Sequence, residues 1–158
     1  MLFHYFKVVN DLQVSKDIGT SVWIFPIVQA FHLVALAIFA GAVLVVDLRL
    51  MGRGLKDRPL RQVTRDAQPW LIWGFVGLLA TGIPQLMQNA LREYYSIFFW
   101  IKMDFLGLAL IWMFTVRRTT TQGDETQMGA FRLKAVGLVS ILLWLGVAVP
   151  ARLIGLFS

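Results

Sequence analysis

His32 is the residue whose type and position most plainly invite chemistry. It lies about ten residues into an uncharged apolar run, Val22 to Val46, roughly 15 Å along a helix and so near the middle of a bilayer. An imidazole in hydrocarbon is expected to be neutral, with one ring nitrogen donating a hydrogen bond and the other free to accept one or to bind a metal. Gln29, one turn earlier, is placed to orient it. The plain alternative is a histidine that bonds to a neighbouring helix and does nothing more.

Three charged residues belong to the layer beyond His32. Lys102 and Asp104 enter the third apolar run from the same side, and Arg152 closes the fourth. Residues two apart on a helix point to different faces, so the expected ion pair is Asp104 with Arg152, between helices, leaving Lys102 to snorkel outward or meet an anionic ligand. Asp47 ends the first run beside Arg49, in Asp47-Leu48-Arg49-Leu50-Met51-Gly52, and reads as a span stop with a charge bias.

The six methionines raise a copper alternative, since thioether and imidazole ligands suit copper(I). Met87 and Met103 share the expected outer layer with His4 above them. No Met-x-x-Met or His-x-x-x-His pair preassembles a site, and methionine serves equally as adaptable packing. With no cysteine there is no thiolate metal site, iron–sulfur cluster or cysteine nucleophile, so redox chemistry requires a bound cofactor. No spaced histidine and carboxylate set suggests zinc or di-iron, and no glycine-rich loop follows a strand to hold a nucleotide. No nucleophile, base and orienting group can be assembled either.

The elements that must position these residues follow from composition. At 58% hydrophobic and 15% charged, the 158-residue chain is too apolar for an ordinary soluble domain. Four runs, about 22–46, 69–91, 96–116 and 133–155, each reach the roughly 20 residues that a hydrocarbon core demands. The first lacks the short core and cleavage site of a signal peptide and is read as a retained helix. Before it, Leu2, Tyr5, Phe6, Val9 and Leu12 recur at helical spacing opposite Lys7, Asn10, Asp11 and Lys16, which predicts an amphipathic interfacial segment over 1–20. Short connections force neighbouring helices antiparallel, so residues 21–158 are expected to form an all-α, up-down bundle of four transmembrane helices. Gly74, Gly77 and Gly82 in the second run, and Ala37, Ala40 and Gly41 in the first, offer surfaces for close approach or for docking another copy or subunit.

The formal charge of +6 does not indicate nucleic acid, because the basic residues lie beside the apolar runs. Arg49, Arg53, Lys56, Arg58, Arg61 and Arg65 fall between runs one and two, and are expected to contact anionic lipid. Arg117, Arg118, Arg132 and Lys134 fall between runs three and four. These are ten of fifteen basic residues, so the positive-inside rule puts both loops in the cytoplasm and both termini outside. Arg117 to Gln127 reads as a solvated polar connector. Trp23, Trp70 and Trp100 lie near expected span ends, and Trp112 and Trp144 deeper, as packing.

His32-Leu-Val-Ala-Leu-Ala-Ile-Phe-Ala-Gly41, then Thr81-Gly82, then Phe99-Trp100-Ile101-Lys102, resemble in order the membrane domain of copper-resistance protein D and the small bacterial heme-dependent protoporphyrinogen oxidases. The resemblance spans about residues 21–157. The fuller stretches from Trp23 to Gly52 and from Leu143 to Arg152 resemble an uncharacterised bacterial four-span family, which supplies a fold and no activity. The oxidase resemblance implies a bacterial inner-membrane location, heme binding at His32 and an activity role for Lys102. Heme b would then have His32 as axial ligand, Met87 or Met103 as a weak second ligand, and Lys102 or Arg152 as propionate partner. No other run contains a histidine, so a bis-histidine site would need His4 folded inward or His32 of a second copy. Heme redox protein, copper transport or delivery, and structural subunit of a membrane complex are the three readings that follow.

Overall fold

The computed structural model describes residues 7–8, 23–88, 90–123 and 128–157. Lys7 and Val8 are helical and exposed; the rest of the interfacial segment expected over 1–20, His4 included, lies outside the described residues. Four long helices dominate: α1 (Ile24–Leu50), α2 (Leu60–Gln88), α4 (Ile97–Trp112) with its continuation, and α6 (Ala130–Phe157). A short α3 (Ala90–Tyr95) joins α2 to α4. The third span runs on through a π-helical turn, Met113–Arg117, into α5 (Arg118–Gln122). Four segments, Ile24–Leu50, Leu60–Met87, Ile97–Gln122 and Ala130–Ile154, are long and apolar enough to cross a membrane. The chain is an all-α, multi-pass membrane protein.

The helix ends follow local chemistry. Gly52 takes a left-handed φ of +69°, and its N–H reaches the Arg49 carbonyl while the N–H of Arg53 reaches Leu48. This double closure satisfies the last carbonyls of α1, and glycine enters that conformation without strain. Arg49 Nε then donates to the Arg58 carbonyl at 2.9 Å, folding the connection back. Pro59 starts α2, its carbonyl receiving the N–H groups of Gln62 and Val63. Pro69 and Pro84 lie within α2, which remains one helix.

Packing is uneven along the bundle. α1 packs chiefly on α2, α4 on α6, and α1 on α6, while α2 meets the third span mainly at α5. The buried apolar cluster is at the end carrying the basic loops: Val46 and Leu50 of α1, Leu60, Val63 and Ala67 of α2, and Leu133 and Val136 of α6. At mid-depth Phe39 is fully buried, its ring 4.8 Å edge-on from Trp144 of α6 and 5.9 Å from Phe75. Toward the opposite end Ala90 and Phe99 are buried, while His32, Gln85 and Lys102 are half-buried.

The polar connector expected from Arg117 to Gln127 is corrected in its first half. The span continues to Gln122, and Arg117, Thr120 and Thr121 are buried. An arginine pair reads as a span end, but here a π turn offsets the helix by about one residue and carries Arg117 inward. The hydroxyls of Thr115, Thr119 and Thr120 bond back to carbonyls at Ile111, Thr115 and Val116, satisfying backbone acceptors around the distortion.

Candidate functional site

His32 lies on the seam between α1 and α2. His32, Ala35 and Phe39 share one face of α1 and meet Gly74, Gly77 and Thr81, at the same spacing, on α2. The glycines make that approach possible: a Cβ on Gly77 would lie 2.9 Å from the Cβ of Ala35, and one on Gly74 would lie 2.9 Å from the Phe39 backbone. The packing assigned to these two glycines from sequence is therefore real. Gly82 sits against the imidazole with more room, 3.5 Å from its Cβ position to His32 Cε1.

One hydrogen bond decides the tautomer. Thr81 Oγ1 lies 2.6 Å from the Gly77 carbonyl and 2.8 Å from His32 Nδ1. A hydroxyl has one hydrogen, and the carbonyl can only accept, so that hydrogen goes to Gly77. Thr81 therefore accepts from His32 Nδ1–H, and the neutral imidazole leaves Nε2 with a free lone pair. A ring nitrogen fixed by a partner on its other nitrogen is the arrangement by which proteins orient histidine ligands. Thr81, not Gln29, does the orienting; Gln29 is exposed.

One turn beyond Thr81 on the same face of α2, the Gln85 amide nitrogen is buried without a hydrogen-bond partner. A buried donor left unpaired carries a cost that a ligand acceptor would remove. Lys102 of α4 is half-buried and near enough for its charge to bear on both His32 and Glu93. Burial raises the Glu93 carboxyl above its ordinary range, and the charges of Lys102 and Arg92 partly offset that rise.

The other expected partners do not converge so well. Met87 is half-buried near the end of α2, whereas Met103 is 42% exposed. The Asp104–Arg152 bridge is not formed: both side chains are exposed, and an exposed pair gains little from holding two side chains in one geometry. Among the described residues no group of three or more histidine, aspartate or glutamate side chains could hold a metal ion. In the basic loop, Arg53, Lys56, Arg58, Arg61 and Arg65 are exposed, while Arg49 also ties the loop together.

Among the described residues, a buried ion pair lies at the other end, on Asp47. Arg117 Nε donates to Asp47 Oδ1 at 2.9 Å, Arg117 Nη2 to the Val43 carbonyl at 3.3 Å, and Ser140 Oγ to Asp47 Oδ2 at 2.6 Å. Asp47 is wholly buried and Arg117 nearly so. Gly137, one turn before Ser140, clears the way, since a Cβ there would lie 2.8 Å from the Asp47 carbonyl oxygen. The cluster ties α1, the third span and α6. The reading of Asp47 as a mere span stop missed it, because its partners lie 70 and 93 residues away. The available signal was an aspartate within reach of a hydrocarbon core, which demands a cation.

A family model described as "Family of unknown function (DUF6644)" matches residues 13–158. No curated protein matches the chain. No solved structure matches it either.

Proposed function

The chain belongs to the DUF6644 family of unknown function, and we propose that it binds heme b through His32 Nε2 for redox chemistry in a bacterial inner membrane. The observation that carries this reading is the Gly77–Thr81–His32 hydrogen-bond chain, which leaves Nε2 unprotonated and fixed in direction. The orphaned Gln85 amide and the half-buried Lys102 fit the same group, as a donor and a cation for its anionic substituents. Heme would supply one-electron chemistry at bilayer depth. The chain's own residues orient the ligand nitrogen, hold a cation beside it and exclude water through α1 and α2. Met87, or His32 of a second copy, would be the further residue able to hold the group alongside His32.

The test is the visible spectrum of the detergent-extracted full chain, oxidised and dithionite-reduced, after expression with heme precursor and after addition of hemin. Wild type should show a near-stoichiometric Soret band, lost in His32→Ala. Thr81→Val, which removes the acceptor for Nδ1–H, should weaken binding about 10- to 100-fold while Thr81→Ser restores it. A folded, colourless wild type that hemin does not convert, or a Soret band indifferent to His32→Ala, would sink the proposal.

A further inference from the structure

A groove of about 420 Å³ runs along the opposite side of the α1–α2 seam, toward the basic end, within the size range of ligand sites. Its floor is Ala37, Gly41 and Val45, one stripe of α1 at four-residue spacing, with Val63 and Ala67 of α2. Arg58 and Asp66 stand in the same lining, both exposed and without an ion pair to one another. A Cβ placed on Gly41 would meet nothing within 4 Å, so the absence of a side chain there is not needed for helix contact. The glycine keeps the groove open.

We propose that this groove binds a zwitterionic phospholipid with a primary ammonium headgroup, such as phosphatidylethanolamine. The apolar floor takes an acyl chain, the Arg58 guanidinium takes the phosphate, and the Asp66 carboxylate takes the ammonium. Charge complementarity selects this occupant over an anionic lipid. The groove carries one cation and one anion, whereas the surrounding surface, with Arg53, Lys56, Arg61 and Arg65 exposed, attracts any anionic headgroup without a built pocket. A headgroup of phosphate alone would satisfy Arg58 and meet Asp66 with like charge. A quaternary ammonium would satisfy the charge and offer Asp66 no N–H donor. The site is independent of His32, which is not in its lining.

The test is the thermal unfolding of the purified full chain in delipidating detergent, with phosphatidylethanolamine, phosphatidylcholine or phosphatidylglycerol of identical acyl chains added in turn. Phosphatidylethanolamine should raise the midpoint by about 5 °C more than either other lipid, the scale expected for a saturated site on a chain of this size. Gly41→Leu, which has room to fill the groove, should not lower the lipid-free midpoint and should abolish that increment, and Ala37→Leu should do the same. Asp66→Asn should lower the phosphatidylethanolamine response and raise the phosphatidylglycerol response. Equal or larger stabilisation by phosphatidylglycerol in wild type overturns the proposal, as does an increment that survives Gly41→Leu and Ala37→Leu. A wild-type dimer that Gly41→Leu converts to monomer also overturns it, because the groove would then seat a second copy.

Discussion

Asp47 and His32 stand on the same helix, and the two ends of α1 treat their polar side chains differently. At the basic end, Asp47 is sealed: both carboxylate oxygens are occupied, by Arg117 and Ser140, and the surrounding helices are tightly packed. At the other end, Thr81 engages one nitrogen of His32, Gln85 keeps an unpaired buried amide, and Lys102 is half-buried nearby. A polar cluster whose charges and both carboxylate oxygens are met within the protein holds helices together. One with a lone pair and a donor unspent is suited to receive something. The contrast marks the first as structural and makes the second the place where the proposed ligand is to be sought.

The largest effect should come from breaking the sealed end. Arg117→Leu leaves a buried carboxylate without its cation, which costs about 3–5 kcal/mol. The expected outcome is a large fall in the thermal midpoint in detergent, or loss of the folded chain. Replacing both partners, Asp47→Leu with Arg117→Leu, should recover most of that loss, because no charge is then stranded. A double variant as unstable as the single one would show that the cluster does more than neutralise itself.

Glycine substitutions sharpen the same comparison on a smaller scale. Gly137→Ala would put a Cβ 2.8 Å from the Asp47 carbonyl oxygen and 3.1 Å from Met51 Cγ. Backbone cannot yield as a side-chain tip can, so the expected loss is about 1–3 kcal/mol. Gly82→Ala, with His32 Cε1 at 3.5 Å, meets ordinary van der Waals distance. Its midpoint should stay within about 0.5 kcal/mol of wild type, helped by alanine's better helix propensity. Equal sensitivity at the two glycines would contradict the difference in clearance at these two positions.

Much of this was legible from the chain, for identifiable reasons. Four apolar runs of spanning length, broken by Gly52 and by polar loops, predict four helices, because hydrocarbon leaves the backbone few alternatives. Their ends were less legible. The second span starts at Leu60, nine residues before the predicted start at residue 69, because Arg61, Arg65 and Asp66 are helical residues outside the apolar run. The third outruns its prediction because the π turn buries Arg117, which no period of 3.6 anticipates. His32 stood out as a lone imidazole in an uncharged apolar run, although the structure puts it on the N-terminal side of the middle of α1, which Phe39 occupies. Its partner could not be read off, since Thr81 is 49 residues away and identified by contact alone. The same long-range logic misdirected Asp104 toward Arg152 while the real pair formed at Asp47.

The smallest predicted effect probes the charge balance at the open end. Glu93 lies on α3, outside the spans, and burial lifts its carboxyl above the ordinary range while Lys102 and Arg92 restrain the rise. A folded-state pKa above the unfolded one means that the folded chain holds the proton more tightly. That contribution is fully present below the unfolded pKa, near 4, and is lost as pH rises through the folded value. Wild type should therefore lose a little stability on going from about pH 4 to neutrality, on the order of 1 kcal/mol or less for a half-exposed group. Glu93→Gln should remove that slope. Lys102→Met withdraws the larger of the two restraining charges, so the loss should grow and extend to higher pH, read from unfolding temperature against pH. An unmoved profile in Lys102→Met would mean that the charge of Lys102 does not bear on Glu93.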